Sequence, residues 1–439
     1  MSKLRVVIGL LAAWVAFAQP AIIDQPAIVA MAKEELAATN TPGAAIGIVL
    51  DNKLVWAFGV GIANVETGEP VKPEMLFRLG STTKMMTATA VAILAASGRV
   101  SFSDPVGKHV SGLDPAIAAL TINQLLSHTS GLKDDAVMNG RHDDAALRDE
   151  IRLWKADWLF TTPGAIYSYS NPGYWLAGLV AETVTGKPYA DAMEELVFRP
   201  VGMTSTTLRP TMAMTRPLAQ GHDLVDRKVA VLRPAPDNTA NWPAGSVFSN
   251  LEDLSKLTMA LMNARVPQAV VTALTTPHAD IPGSKAKYGY GLNVEDRRGV
   301  KYWSHGGSRS GYGSFIGMLP ERHAAVIVLT NRTGQDLPRT RARILTMLSA
   351  GPDPVSEPYR PRAVPPAVQS LSVGEYRNGA SVITVTRRDG NLYVGDAEAM
   401  LRFDSWLHLT GGPDVFPIPA PDGRIAYLHR GGRSFARVQ

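Results

Sequence analysis

Two β-rich blocks stand more than 200 residues apart in this chain, and that separation limits the folds open to it. The first block holds AAIGIVL and KLVWAFGVGIANV on either side of the turn signal Asp51-Asn52. The second, over residues 288–332, holds YGYGLNV, KYWSHGG, GSFIGML and HAAVIVLTN. Residues from about 104 to 265 carry mostly helical patterns, broken by loops rich in Gly, Pro, Ser and Asn. Helix-like segments also flank the blocks at 24–40 and 337–350. The expected architecture is one sheet whose halves come from both ends of the chain, flanked by helices, with a helical insertion between them. The cleft between two such lobes is a usual place for a site.

Composition narrows the chemistry. Hydrophobic residues make up 45% of the 439 and charged residues 19%, an ordinary balance for a protein with a large core. The net charge of +5 is thinly spread and no basic cluster is interleaved with aromatics, so nucleic acid is not an expected partner. With no cysteine, disulfides, thiolate nucleophiles and zinc–thiolate sites are excluded. Residues 1–18, MSKLRVVIGLLAAWVAFA, have the cations, short apolar run and small-x-small ending of a cleavable export signal. A periplasmic or secreted protein with no membrane span after cleavage is therefore expected. Residues 19–351 form the main domain. Residues 352–366 hold six prolines in 15 positions and read as an extended linker. Residues 367–439 consist of short strand patterns, among them VITVTRRDGNLYV, and are expected to form a small β domain, sandwich or barrel.

No HExxH, P-loop, EF-hand or GxSxG pattern is present, and no two of the nine histidines lie within five residues of each other. No cofactor and no metal is expected. The positive signal is Ser81-Thr82-Thr83-Lys84, opening the Pro-free run STTKMMTATAVAILAASG. Three residues apart on a first helical turn, the Lys84 amine can reach the Ser81 hydroxyl. A lysine takes a proton only when neutral, so burial and neighbouring cations would have to lower its pKa by several units. SxxK also occurs at Ser130–Lys133 and Ser284–Lys287, and Ser81 as a plain helix cap is the competing reading. A second feature is Tyr169-Ser170-Asn171: a phenol able to move protons, and an amide able to fix Lys84 and hold a substrate carbonyl. The third is His305-Gly306-Gly307-Ser308 at a strand end, where glycines let a substrate backbone lie along the edge. Each of these has a bland alternative as a turn, and YxN recurs at Tyr376–Asn378 and HxG at His429–Gly431.

Taken in order, these elements resemble the penicillin-recognising serine hydrolases, in the branch of class C β-lactamases, D-alanyl-D-alanine carboxypeptidases, D-aminopeptidases and β-lactamase-like esterases. LLSHTSGL at 125–132, PGAIYSYSNPGYWLAG at 163–178, VGMTSTT at 201–207 and PAGSVFSNLEDLSKL at 243–257 extend the likeness over roughly residues 25–345. The resemblance implies an α/β fold with an all-α subdomain, a mixed sheet flanked by helices, followed here by a small all-β domain, lipocalin-like in some relatives. It also implies roles. Ser81 is the acyl-accepting nucleophile and Lys84 its activating partner. Tyr169 is the general base that later protonates the leaving group, and Asn171 positions substrate. The backbone N–H groups of Ser81 and Ser308 make the oxyanion hole, with Gly306 and Gly307 beside substrate. His305 stands where many relatives carry the lysine of a KTG triplet. A mostly neutral imidazole there disfavours β-lactamase or DD-carboxypeptidase action and favours an esterase or D-amino-acid peptidase; Arg309 is a candidate replacement cation, with a solvated loop arginine as the other reading. A penicillin-binding sensor that acylates without turnover, or a scaffold that has lost catalysis, is a further alternative. The expected partner is a small-molecule or peptide substrate.

Overall fold

The computed structural model describes residues 23–135, 137–263, 265–297, 299–349, 362–402, 406–409 and 414–438. Residues 1–18, expected to be an export signal, and most of the proline-rich stretch lie outside the described residues.

The two ends of the chain do meet in one sheet. Gly43–Leu50 pairs on one side with Lys53–Asn64 and on the other with Ala324–Thr330, in the register Ala44↔Thr330, Ile46↔Val328 and Ile48↔Val326. Tyr312–Leu319, Val300–Arg309 and Asn293–Arg297 follow outward, and every neighbouring pair in the nine-stranded sheet is antiparallel. Alternation along the strands divides the core. Ala45, Val49, Ile327 and Leu329 face a large cluster built with the helices Thr83–Ala96, Asn171–Thr185 and Leu251–Met262. Ala44, Ile46, Ile48, Val326 and Val328 face the opposite layer, made by Gln25–Thr39 and Pro338–Ser349.

Local chemistry sets the helix ends. Gly98, at φ +73, ends the Thr83–Ala96 helix in a left-handed turn in which the Arg99 N–H reaches back to the Leu94 carbonyl. The helical insertion is interrupted by a hairpin, His222–Val225 with Lys228–Val231, which the sequence reading placed within a mostly helical region. Asp226 and Arg227 both take positive φ at its turn, and the valine-rich runs on either side of them in LVDRKVAV were the available signal.

The C-terminal β domain is a ring of eight strands from Gly374–Asn378 to Arg433–Arg437. Each strand pairs antiparallel with the next, and the first closes on the last through Tyr376↔Arg437. Its interior is filled by Tyr376, Ile383, Val385, Leu392, Val394, Val415, Leu428 and Phe435. The strand Arg362–Ala363 and the helix Pro366–Ser372 precede the ring.

One buried carboxylate ties the outer helices together. Glu35 accepts hydrogen bonds from the Arg339 N–H (2.9 Å), the Thr340 N–H (2.9 Å) and the Thr340 hydroxyl (2.8 Å), satisfying donors at the start of the Pro338–Ser349 helix. Glu35→Ala leaves those donors buried and unpaired, with an expected loss of roughly 2–4 kcal/mol in urea unfolding. A change below about 0.5 kcal/mol would contradict this capping role.

Candidate active site

Ser81 sits in a short 3₁₀ turn, Gly80–Thr82, that runs into the Thr83–Ala96 helix. No side-chain capping bond forms at this helix start, so Ser81 is not there as a cap. Two glycines bring its backbone against the strand Val300–Arg309. Gly80 has φ +58, and a Cβ on it would lie 2.7 Å from the Ser308 backbone. A Cβ on Gly307 would meet the Leu79 carbonyl at 2.0 Å and lie 3.1 Å from the Ser81 nitrogen. Any side chain at either position would force the Ser81 and Ser308 backbones apart. The turn is latched to the sheet by Ser314, whose hydroxyl donates to the Leu79 carbonyl (2.5 Å) and lies 2.9 Å from the Thr82 hydroxyl.

Lys84 is fully buried. Its Nζ donates to Asn171 Oδ1 and to the Ala244 carbonyl, both at 2.7 Å, and lies 3.4 Å from Ser81 Oγ. Two of these three neighbours are carbonyl oxygens that can only accept. A neutral amine has two N–H bonds and one lone pair, so with both N–H groups used the lone pair is left for the Ser81 hydroxyl proton. Burial holds the Lys84 pKa well below its ordinary 10.5; Asp134 opposes that shift and Arg433 adds to it.

Asn171 is fixed in turn. It begins the Asn171–Thr185 helix, whose cap Ser170 accepts from the Gly173 N–H. The Asn171 backbone N–H and side-chain Nδ2 both donate to Asp134 Oδ1, at 2.8 and 3.0 Å. This leaves Oδ1 for Lys84 and settles the amide orientation. The ring of Tyr169 lies 4.8 Å from Lys84 Nζ. Its hydroxyl is buried with no hydrogen-bond partner among the described residues. Burial pushes this phenol well up, and the nearby Ser81 hydroxyl offsets only part of the rise. In the resting site Tyr169 therefore carries its proton.

His305 lies in the same cavity wall, 4% exposed. Its Nδ1 is 2.6 Å from the Gly306 carbonyl and its Nε2 is 3.1 Å from the Tyr288 hydroxyl. That hydroxyl is 3.2 Å from His128 Nε2, while His128 Nδ1 accepts the Ser170 N–H at 3.1 Å. A carbonyl only accepts, so His305 Nδ1 carries hydrogen. A pattern in which Tyr288 donates to His305 Nε2 and His128 Nε2 donates to Tyr288 satisfies the row. Both imidazoles are then neutral. Burial is the main cause that lowers His305 to about 4 and holds His128 well below its ordinary value, and a proton on Lys84 acts in the same direction. Ser81, Tyr169, Asn171, His305, Gly306, Gly307 and Ser308 all border one cavity of about 1030 Å³.

Comparison with known proteins places this geometry. The β-lactamase family profile matches residues 28–349. The chain belongs to the β-lactamase family. Among curated relatives, unguisins hydrolase ungD' of Aspergillus campestris is 30% identical over 328 residues, 69% of this chain and 60% of that protein. The chain thus spans less than two thirds of that relative's length. The crystal structure of SurE aligns with a TM-score of 0.78 at 25% identity, over 94% of this chain and 98% of the other. A D-alanine carboxypeptidase, AmpC from Burkholderia cenocepacia, aligns at TM-score 0.60 and 22% identity over 74% of this chain and 98% of its own; this shows a shared fold.

Within this β-lactamase-family framework one expectation changes. Arg309 is not a solvated loop residue: it ends the strand Val300–Arg309 and borders the cavity, with Nε and Nη1 unpartnered among the described residues. It is 3% exposed, its Nη2 lies 3.4 Å from Asp237, and Arg78 pairs with the same carboxylate. Burial pushes up the phenol of Tyr169, expected as the general base, and holds the Lys84 amine well below its ordinary value. Four contributors carried no role in the sequence reading. His128 and Tyr288 stood inside LLSHTSGL and YGYGLNV, so their segments were visible while their contact was not. Asp134 and Arg433 had no local signal.

The buried neutral histidines set an acid limit on stability. His305 and His429 have folded values of about 4 against 6.5 when exposed, so below about pH 6.5 the unfolded chain takes up protons that the folded chain refuses. Stability is unaffected by them above that pH and falls as pH drops toward 4. At pH 5 each should cost about 2 kcal/mol relative to pH 7 in urea unfolding. A profile flat from pH 7 to 5 would contradict neutral burial.

Proposed function

We propose that this chain is a serine hydrolase that cleaves an ester or amide through an acyl-Ser81 intermediate. The arrangement of Lys84 Nζ carries the reading: both of its N–H groups are engaged and its remaining valence faces Ser81 Oγ at 3.4 Å. Lys84 takes the Ser81 proton as Oγ bonds to the carbonyl carbon, and the carbonyl electron pair moves onto oxygen. The backbone N–H groups of Ser81 and Ser308, brought together by Gly80 and Gly307, stabilise that oxyanion. Tyr169 passes its proton to the departing oxygen or nitrogen and regains one from the Lys84 ammonium. Water then enters by the same path in reverse, and its proton returns through the Tyr169–Lys84 pair as acid product leaves.

The substrate class follows from the third motif. A neutral His305 turned onto the Gly306 carbonyl offers no charge to a carboxylate, which disfavours β-lactams and peptide C-termini held at that point. We favour an uncharged ester, or an amide carrying a D-amino acid. Support for the D-configuration comes from SurE, whose crystal structure with D-Leu aligns at 26% identity and TM-score 0.74 over 94% of this chain and 99% of the other.

A panel of chromogenic esters, D- and L-aminoacyl amides, D-alanyl peptides and β-lactams tests this. Turnover should favour esters or D-aminoacyl amides, vanish in Ser81→Ala, and fall roughly 10²–10⁴-fold in Lys84→Arg, whose guanidinium cannot act as a base. Fast β-lactam turnover would reverse the substrate assignment. Ser81→Ala activity within about tenfold of wild type would remove the nucleophile.

A further inference from the structure

The C-terminal barrel reaches into the site. Its last hairpin, joining Ile425–Arg430 to Arg433–Arg437, turns at Gly431 and Gly432, which border the same cavity as Ser81 together with Arg433. The Gly432 carbonyl accepts the Tyr169 backbone N–H at 2.9 Å. Arg433 Nε donates to Asp134 Oδ2 at 2.5 Å, and its Nη2 pairs with the same carboxylate. The other oxygen of Asp134 receives both Asn171 donors. A continuous row therefore runs from Arg433 through Asp134 and Asn171 to Lys84 and Ser81, joining residues 299 positions apart in sequence.

Neighbouring bonds hold the hairpin in place. Ser434 donates from its N–H to Ser168 Oγ (3.1 Å) and from its hydroxyl to the Tyr167 carbonyl (2.8 Å). Asn378 Nδ2 donates to Ser168 Oγ at 3.2 Å. The Tyr427 hydroxyl lies 2.7 Å from Thr161 Oγ1. All of these meet the segment that ends in Tyr169 and Asn171.

We propose that Arg433 is a positioning residue for catalysis: through Asp134 it fixes Asn171, and through Asn171 it sets the Lys84 amine against Ser81. The inference rests on the acyl-Ser81 reading above. The barrel then supplies part of the catalytic geometry, and the main domain alone lacks the group that neutralises Asp134.

Charge makes the role measurable. Lys84 is faced by Asp134 and Arg433, by the rings of Tyr169 and Tyr174, and by His128 and His305. Of the charged groups facing it among the described residues, only Asp134 favours the ammonium; the two ring faces and the two carbonyl oxygens favour it without charge. Arg433→Ala removes a cation and leaves the Asp134 charge uncompensated, so Lys84 holds its proton to higher pH. Asp134→Asn does the opposite. General loosening of the site would not move the two variants in opposite directions.

The test is the pH dependence of Ser81 acylation by a small uncharged fluorophosphonate, followed by intact-protein mass in the full-length chain. Circular dichroism melting checks that each variant is folded. The acid limb should rise by about one pH unit in Arg433→Ala, fall in Asp134→Asn, and return toward wild type in Arg433→Lys. The plateau rate of Arg433→Ala should drop roughly tenfold or more as Asn171 loosens. Limbs that stay put, or that move the same way in both charge-removing variants, would overturn the proposal. If Arg433→Ala does not fold, the opposed shift of Asp134→Asn with retention in Arg433→Lys decides it. A folded wild type that is never labelled at Ser81 removes the hydrolase reading first; labelled wild type with unmoved variants removes this inference alone.

Discussion

The desolvated amine of Lys84 is the constraint on which the rest of this site depends. A lysine in water is charged at neutral pH and useless as a base. Here it lies under the Tyr169 ring with only two carbonyl oxygens and the Ser81 hydroxyl within hydrogen-bond reach. Removing it from water favours the neutral form, and the charged groups around it add little to restore the ammonium. His128 and His305 are buried neutral, and Asp134, the one nearby carboxylate among the described residues, is answered by Arg433. A free Asp134 at this place would pull the proton back onto Lys84.

The sheet makes that burial possible. Because Gly43–Leu50 pairs with Ala324–Thr330, the strand Val300–Arg309 is carried to a fixed distance from the turn holding Ser81. Gly80 and Gly307 then allow backbone to touch backbone. Helix Asn171–Thr185 packs against helix Thr83–Ala96 from the other side and delivers Asn171 to Lys84. The Ser81–Lys84 turn, Asn171 and Ser308 thus come from segments far apart in sequence, brought together by apolar packing and pinned by the Ser314 and Asp134 hydrogen bonds.

Much of this was legible before any coordinates. Sheet closure followed from β patterns at both ends, and the Ser81–Lys84 contact followed from a three-residue spacing at a helix start. The Asp389-Gly390 turn and the C-terminal β domain were readable from turn chemistry. What stayed hidden was long-range. Asp134 is a single carboxylate in a loop, and Arg433 is one of many arginines; nothing near either residue announces that they meet. Arg309 misled because sequence does not reveal that Asp237 would bury it. The charge states of Tyr169 and His305 depend on desolvation, a property of the assembled cleft and not of any motif.

The central claim is that Lys84 is a neutral amine in the resting enzyme. Carbon-13 NMR of lysine-labelled protein measures this directly, with the Lys84 ε-carbon assigned by its disappearance in Lys84→Met. At about pH 7.5 this resonance should stand apart from the other lysines at the position of an unprotonated amine, and titrate well below the ordinary 10.5. A Lys84 signal that stays with the charged lysines up to about pH 9 would contradict the account.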